Sequence, residues 1–275
     1  RLDSINTEKE NGTQKIVSVN VTDRESSQKQ EIKCEKLILA IGHSARDTFI
    51  SLHESDVEMQ QKSFAIGVRV EHLQKMIGRN QYGDMYKILP TADYKLTHQT
   101  KDGRGVYSFC MCPGGYVVNA SSQKGMLAVN GMSNYLRDSK NANSAIVVTV
   151  TPEDYESDDV LAGMMFQQKW EKKAYEAADG KIPVQLFGDF KKDRVSSEFG
   201  EVIPETKGEY AFANVRKIIP ESVASSIEEG IKAFEKKIKG YSRDDTLLLG
   251  IESRTSSPVK ILRDESMQSN IRGIY

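Results

Sequence analysis

The sequence predicts an α+β fold, from two observations about the order of its patterns. Between residues 103 and 150, short apolar segments alternate with Gly, Pro, Asn and Ser, which indicates the regular strands of a barrel or a sandwich. After residue 157 the apolar spacing becomes helical, over 158–179 and again over 220–240. A run of strands followed by helices is typical of an α+β architecture rather than of repeated βαβ units.

The first seventy residues predict an antiparallel ribbon, a buried strand and a helix. Residues 15–23 and 30–42 begin with alternating apolar and polar side chains, and Asn11-Gly12 is a hairpin-type turn ahead of them. The continuously apolar run over 36–40 is typical of a fully buried strand. The segment "HSARDTFISLHESDV" then has helical spacing, and "FAIGVRVEH" returns to strand character.

The later elements follow from the same signals. Four strands are predicted within 103–150, at "GRGVYSFCMC", "GYVVNASS", "GMLAVNGMS" and "SAIVVTV". The helix over 220–240 has Ser222 as its cap and Gly240 as its stop, and its predicted buried stripe is Ile227, Ile231, Phe234 and Ile238. The tail "TLLLGIESRTSSPVKILRD" is strand again.

Composition excludes several classes of protein. The chain has 38 basic and 39 acidic residues, well mixed, so it carries no electrostatic footprint for nucleic acid. Apolar runs such as "LILAIG" are too short to cross a bilayer, and no signal peptide is visible. Three cysteines without a secretory signal indicate reduced thiols. We therefore expect a cytoplasmic protein that binds neither nucleic acid nor membrane.

The stretch "FCMCPGG" at 109–115 admits three interpretations: a metal clip, a redox pair, or a strand that runs into a tight turn. Zinc needs four ligands, and only Cys34 and four scattered histidines remain, so no metal site is expected. On a strand Cys110 and Cys112 would point to the same face, which leaves a thiol pair open. Two partly buried thiols ahead of a turn is the favoured interpretation. The two glycines allow a tight turn or close approach to a ligand.

The segment "ESRTSSPVKILRD" at 252–264 combines two arginines with several hydroxyls, which suits a carboxylate or a phosphate. A strand with a solvated face is an equally good interpretation. Arg254, flanked by Thr255 and Ser256, is favoured as the anion-binding residue, and Arg263 as an exposed or paired charge. A Ser-His-Asp set stays open, although the chain contains no nucleophile elbow, no Gly-x-Gly-x-x-Gly and no P-loop pattern.

Together these segments resemble one family, the bacterial FAD-dependent dehydrogenases of uncharacterised substrate. The likeness runs from about residue 36 to the C-terminus through "LILAIGHSARDT", "FAIGVRVEH", "QYG", "GRGVYSFCMCPGGYVVNASS", "NGMSNYLRDSKNANSA" and "ESRTSSPVKILRD". The resemblance implies a remnant of an FAD-binding α/β domain that carries a large insert of β-barrel type with a helical subdomain. In residues, it implies part of the FAD domain at 1–63, the insert at 64–245 and the return at 246–275.

The family's glycine-rich phosphate turn and its flavin-side Gly-Glu-Gly segment have no counterpart here. The chain opens on Arg1 and closes on the strand-like "NIRGIY", so we interpret it as the middle of a longer protein. The parent is expected to be an FAD-dependent dehydrogenase acting on a small-molecule substrate, while the isolated fragment binds no flavin and is inactive. The alternative is a non-catalytic substrate-binding or interaction module.

The resemblance also implies site residues. Ile41 and Gly42 match the turn beside the adenosine side of FAD, and His43 completes the cofactor-binding set. The candidates that face the flavin or the substrate are Cys110, Cys112, Pro113, Gly114, Gly115, Arg254, Thr255 and Ser256. No catalytic residue and no oligomeric state follow from the likeness.

Overall fold

A computed structural model describes all residues from 1 to 275, with fifteen strands and five α-helices. The strands are β1 (Leu2–Glu10), β2 (Thr13–Thr22), β3 (Lys29–Lys33), β4 (Met59–Gln61), β5 (Phe64–Leu73), β6 (Thr97–Gln99), β7 (Gly105–Cys112), β8 (Gly115–Asn119), β9 (Val129–Ser133), β10 (Asn141–Val150), β11 (Ile182–Leu186), β12 (Thr206–Lys207), β13 (Tyr210–Phe212), β14 (Leu247–Glu252) and β15 (Val259–Ile261). The helices are α1 (Arg46–Glu54), α2 (Gln74–Tyr82), α3 (Ala162–Ala177), α4 (Phe187–Phe190) and α5 (Glu221–Phe234). The predicted α+β class is confirmed.

The chain divides into two compact units. The first unit consists of Arg1–Ser63, Thr151–Met165 and Ser256–Tyr275, and the second of Phe64–Val150 and Phe166–Thr255. The domain limits that the resemblance implies at residues 63 and 245 stay predictions.

The first unit is built on the antiparallel ribbon β1-β2-β3 and on the pair β4-β15. Asn11 and Gly12 have φ values of 52° and 83°, as a type I′ hairpin turn requires, so that prediction is confirmed. The apolar side of the ribbon contributes Ile16 to a core shared with Leu52 of α1 and with Ile271 and Ile274 near the C-terminus.

The predicted buried strand at 36–40 is wrong. This segment is extended, but its one bridge joins Leu37 to Ile274 in a parallel sense, and Ile38 is 77 % exposed. Only one edge of the segment has a pairing partner. Leu37 and Leu39 are half-buried, whereas Lys36, Ile38 and Ala40 are exposed, so only one face of the segment is covered.

The second unit is centred on a seven-stranded sheet with the order β13-β11-β14-β5-β10-β7-β6. The central strands β5 and β10 are buried almost throughout, which explains their continuous apolar runs. A smaller sheet has the order β12-β8-β9. The large sheet is open, with β13 and β6 as its edges, and no closed barrel is formed. The short strands between 103 and 150 are divided between these two sheets, so the expected barrel is not confirmed.

Helix α5 packs against β5, β6, β7 and β10. The predicted stripe is confirmed, since Ile227, Ile231 and Phe234 are fully buried. Its predicted cap is wrong: Pro220 occupies the N-cap position and no side chain caps the helix. Ser222 instead lies inside the first turn. Gly240 is in the left-handed region beyond the helix, with φ of 88°.

Candidate functional site

The first unit contains a cavity of about 310 Å³, here called the Gly42 pocket. Its lining comes from two stretches of sequence, 39–49 and 257–275. The lining residues are Leu39, Ala40, Ile41, Gly42, Phe49, Ser257, Val259, Lys260, Ile261, Leu262, Arg263, Met267, Ser269, Ile274 and Tyr275. The pocket is therefore mostly apolar, with two cationic side chains.

Backbone hydrogen bonds hold the two stretches together. The Leu37 amide donates to the Gly273 carbonyl at 2.7 Å, and the Tyr275 amide donates to the Leu37 carbonyl at 2.8 Å. The Leu39 amide donates to Tyr275 at 2.7 Å. This parallel pairing fixes the extended segment that leads into the pocket wall.

The turn after this segment exposes bare backbone. Gly42 has φ of 67°, a conformation that favours glycine, and a Cβ atom there would meet nothing within 4 Å. The space beside Gly42 is therefore open to a ligand. Of the three residues predicted to bind the cofactor, Ile41 and Gly42 line the pocket, whereas His43 is not part of the lining. The His43 ring lies 3.4 Å from the Ser44 hydroxyl.

The two cations of the Gly42 pocket, Lys260 and Arg263, form no ion pair with the protein. Both belong to the segment around β15, which pairs antiparallel with β4. Lys260 is exposed, as is Arg263. Each can therefore meet an anionic group of a ligand without first breaking an internal bond.

The second unit holds a buried polar cluster around Arg69, which lies on the central strand β5 and is fully buried. Its Nε donates to Glu252 Oε2 at 2.9 Å. Its two Nη atoms donate to the Cys110 carbonyl at 2.7 Å, to Asn143 Oδ1 at 3.1 Å and to Asn130 Oδ1 at 2.7 Å. Burial raises the pKa of Glu252, and the Arg69 guanidinium opposes that shift.

The predicted pair Cys110 and Cys112 borders this cluster. Phe109 is paired with Ala145 and Cys112 with Asn143. Between these two pairs β7 has two residues and β10 has only one. This β-bulge puts Cys110 in the left-handed region, with φ of 43°. The simple alternation that placed both thiols on one face does not hold across a bulge. Cys110 is exposed and Cys112 is half-buried.

Pro113, Gly114 and Gly115 form a buried turn between β7 and β8. A Cβ on Gly114 would lie 1.8 Å from the Arg137 carbonyl oxygen, and one on Gly115 would lie 2.0 Å from that of Met132. The neighbouring backbone of the same unit therefore occupies the space beside these glycines. Close chain packing, rather than an open ligand surface, accounts for the "PGG" sequence.

Arg254 makes a bidentate ion pair with Glu171, at 3.1 Å from Nε to Oε1 and 2.9 Å from Nη2 to Oε2. Glu171 is fully buried and also accepts a hydrogen bond from the Ser253 hydroxyl at 2.6 Å. Thr255 instead holds the edge of β5, since its hydroxyl donates to the Ala65 carbonyl at 2.9 Å. Ser256 begins the last segment of the first unit.

Sequence reasoning did not find Arg69, Glu71 or Glu252. Glu71 is fully buried on β5, accepts hydrogen bonds from the Glu205 amide at 3.2 and 3.3 Å, and has its pKa raised by burial to about 8. The available signal was "RVEH" inside the otherwise apolar run "FAIGVRVEH". Charged residues on a central strand must be paired or neutral, so they mark a buried polar network.

The open Ser-His-Asp hypothesis gains no support from the histidines. His72 is buried, its Nε2 lies 2.8 Å from the Tyr241 carbonyl, and burial lowers its pKa to about 4. His98 pairs with Glu229 at 2.9 Å. No group of three or more His, Cys, Asp or Glu side chains is arranged to hold a metal ion. None of the helices combines the length and the apolar character needed to span a bilayer.

Comparisons with known proteins give two findings. Residues 63–255 match the family described as "FAD-dependent protein, C-terminal domain-like", a range whose ends fall within one residue of the outer limits of the second unit. A protein of Clostridium beijerinckii, described as uncharacterized, is 52 % identical over 252 residues. That alignment covers 90 % of this chain but 47 % of the relative, so the chain spans about half the length of the curated relative it matches.

Proposed function

The chain belongs to the family of FAD-dependent proteins whose C-terminal-domain-like model it matches, and from this premise we propose that its parent is an FAD-dependent oxidoreductase of the dehydrogenase type. In this proposal the Gly42 pocket takes the adenosine side of FAD, and the second unit shapes the substrate side of the flavin. The observation that supports it is that Ile41 and Gly42, the residues matched to the adenosine turn, line a pocket of about 310 Å³.

The residues of the Gly42 pocket suit such a group. Leu39, Phe49 and Ile261 provide apolar walls against which a planar ring can lie, and Gly42 lets it approach the backbone. The volume is at the lower end of the roughly 300–1,000 Å³ typical of ligand pockets, which suits part of a dinucleotide rather than all of it. Lys260 and Arg263 can meet phosphate oxygens, because neither is paired within the protein.

FAD, when bound, supplies the hydride chemistry, and the protein residues bind and orient it. The apolar walls of the Gly42 pocket would remove water from one face of the ligand. The cations at its mouth would favour the anionic form of that ligand. In the second unit, the hydrogen bond from Arg69 to the Cys110 carbonyl would hold the Cys110 bulge in one position, as preorganised sites require.

A matched pair of glycine variants in the intact parent protein tests the proposal. Gly42 and Gly12 both have positive φ and open space around them, with φ of 67° and 83°, so Ala imposes similar backbone strain at each. Only Gly42 lines the pocket. We expect the parent to carry stoichiometric flavin, Gly42→Ala to weaken its affinity about tenfold through a methyl group placed against the ligand, and Gly12→Ala to leave it unchanged.

Flavin absorbance and a fluorescence titration give the result. A parent without flavin, or equal affinity losses in the two variants, would refute the assignment. If the parent protein binds flavin but no reductant decreases the flavin absorbance, the result would favour the alternative, a non-catalytic binding module. For the isolated 275-residue chain we expect no bound flavin, because it contains no Gly-x-Gly-x-x-Gly turn to hold a pyrophosphate.

A further inference from the structure

Cys110 and Cys112 lie at the end of β7, next to a fixed cation and on a distorted strand. We propose that they form a redox-active thiol pair that reacts with low-molecular-weight disulfides, with Cys110 as the attacking thiol and Cys112 as the resolving thiol. The proposal does not depend on flavin binding. It rests on the different exposure of the two thiols, on the bulge and on the contacts of the Cys112 sulfur.

Exposure assigns the two roles. Cys110 is exposed, so a small disulfide can reach its sulfur from solvent. Cys112 is half-buried and is less accessible to an external reagent. An accessible thiol beside a less accessible partner is the arrangement found at redox-sensing cysteines, where the second thiol resolves the first adduct.

The contacts of Cys112 bring it back toward Cys110. The Cys112 Sγ lies 3.3 Å from the carbonyl oxygen of Cys110, so the sulfur sits against the main chain of the residue whose thiol it would join. The same carbonyl accepts a hydrogen bond from Arg69 Nη1 at 2.7 Å, which fixes the bulge. Arg69 Nη1 is also 3.9 Å from the Cys112 Sγ.

Arg69, which is also paired with Glu252, is a cation in contact with the Cys112 sulfur, so its charge favours the thiolate that forms when Cys112 attacks the adduct. Burial raises the pKa of the Cys112 thiol, and the nearby Arg69 charge opposes that shift. Cys112 therefore stays a thiol at rest and is not itself the first nucleophile. Its proton is lost only when it attacks the adduct on Cys110.

The chemistry balances in two exchange steps. The Cys110 thiolate attacks one sulfur of R–S–S–R, so a Cys110–S–R bond forms, the R–S–S–R bond breaks, and RS⁻ leaves and takes up a proton as RSH. Cys112 then loses its proton and attacks the Cys110 sulfur, so the Cys110–Cys112 bond forms and a second RSH leaves. Two protein thiols are oxidised, and one small disulfide is reduced to two thiols.

The ring closed by a disulfide between residues i and i+2 is very small. Such strained disulfides are easily reduced and belong to the labile kind rather than the structural kind. The product is therefore expected to return to two thiols with a dithiol reductant. Reversibility separates this pair from a stable structural cross-link.

The test treats the 275-residue chain with glutathione disulfide at about pH 8, where thiolates are available, and follows free thiols and intact mass. The Cys34→Ser variant serves as the background, because it leaves only Cys110 and Cys112 of the three cysteines. We expect both thiols to be lost with no glutathione retained, and both to return with dithiothreitol. Adding Cys112→Ser should trap one glutathione on Cys110, and adding Cys110→Ser should abolish the reaction.

Phenylarsine oxide, which bridges two adjacent thiols, gives an independent measure of their proximity. One equivalent of phenylarsine oxide should block both thiols of the Cys34→Ser chain from reaction with a thiol reagent. Neither single-cysteine variant should retain phenylarsine oxide after a wash with a monothiol. The proposal is overturned if glutathione stays attached to the Cys34→Ser chain. It is also overturned if adding Cys110→Ser to that chain leaves the rate of thiol loss unchanged. Failure of phenylarsine oxide to bridge the pair would also overturn it.

Discussion

Arg69 and Glu252 form an ion pair of 2.9 Å inside the second unit, with 0 % and 3 % of the two residues exposed. They lie on the adjacent strands β5 and β14, close to a register shift between Leu249 and Ile251. The two Nη atoms of Arg69 donate to a backbone carbonyl and to two asparagine oxygens. A buried pair of this kind is stable only while each member keeps its partner.

Removal of one partner should therefore be costly. Glu252→Ala leaves the Arg69 cation buried without its counter-charge, and we expect the free energy of unfolding to fall by about 3–5 kcal/mol. Urea denaturation of the 275-residue chain measures the change. The matched control is Glu176→Ala, which removes the exposed i,i+4 partner of Lys172 and should cost less than about 1 kcal/mol. If the two variants lose the same free energy of unfolding, the buried pair contributes no more to stability than an exposed one.

The buried carboxyl of Glu71 predicts a pH dependence of stability. Its pKa is raised by burial to about 8 in the folded chain, above the ordinary value of 4.5, so the folded state holds a proton that the unfolded state has released. The unfolded chain binds fewer protons between about pH 4.5 and 8, so this group makes stability fall as pH rises through that window. At most, one group contributes about 1.4 kcal/mol per pH unit.

Glu71→Gln removes this titration while keeping an oxygen to accept the Glu205 amide. We expect the variant to lose much less stability than the native chain between about pH 5 and 8, as measured by urea unfolding across that range. Glu198→Gln, at an exposed position, is the control and should follow the native profile. A Glu71→Gln profile that falls as steeply as the native one would contradict a buried neutral carboxyl.

Gly114 is constrained both by its backbone angle and by its neighbour. It has φ of 48°, and a Cβ there would lie 1.8 Å from the Arg137 carbonyl oxygen. Gly114→Ala should therefore lower the free energy of unfolding by about 2–4 kcal/mol, the sum of left-handed strain and overpacking. Gly103 also has a positive φ, 85°, but a Cβ there would have no atom within 4 Å. Gly103→Ala therefore measures the backbone strain without the overpacking. If both variants lose the same stability, the contact with Arg137 plays no part.

The sequence predicted the elements whose signals are local. The hairpin at Asn11-Gly12 and the stripe of α5 follow from turn chemistry and helical spacing, and both are confirmed. The buried strand at 36–40 could not be predicted correctly, because apolar residues report burial only when both faces find partners. Ile38 has none in this structure. The sheet to which a short strand belongs also depends on contacts distant in sequence.

The site shows the same division between local and distant information. Ile41 and Gly42 follow from one contiguous block and line one pocket. The Arg69 cluster joins β5, β7, β9, β10 and β14, so no single stretch of sequence contains it. The bulge at Cys110 likewise arises from the pairing of β7 with β10 and not from the local sequence "FCMC". Periodicity assumes a regular strand, so it did not predict this bulge.

The sequence favours Arg254 as the anion-binding residue and Arg263 as the structural charge. The structure leads us to expect the opposite assignment. Arg254 holds fully buried Glu171 by two hydrogen bonds, whereas Arg263 is exposed and lines the Gly42 pocket without an ion-pair partner. Arg254→Ala leaves Glu171 buried without its cation, so we expect a loss of about 3–5 kcal/mol in the free energy of unfolding. Arg263→Ala should change stability by no more than about 0.5 kcal/mol, as is usual for a surface residue.

Flavin affinity in the parent protein separates the two roles further. If the Gly42 pocket takes the adenosine side of FAD, Arg263→Ala removes a cation from its mouth and should weaken flavin binding about threefold to tenfold, more at low than at high salt. Arg263→Lys keeps the charge and should restore most of the affinity. Urea unfolding and flavin fluorescence titration of the three variants provide both readouts. Unchanged stability of Arg254→Ala would contradict its structural pairing, and unchanged flavin affinity of Arg263→Ala at low salt would exclude Arg263 from the cofactor site.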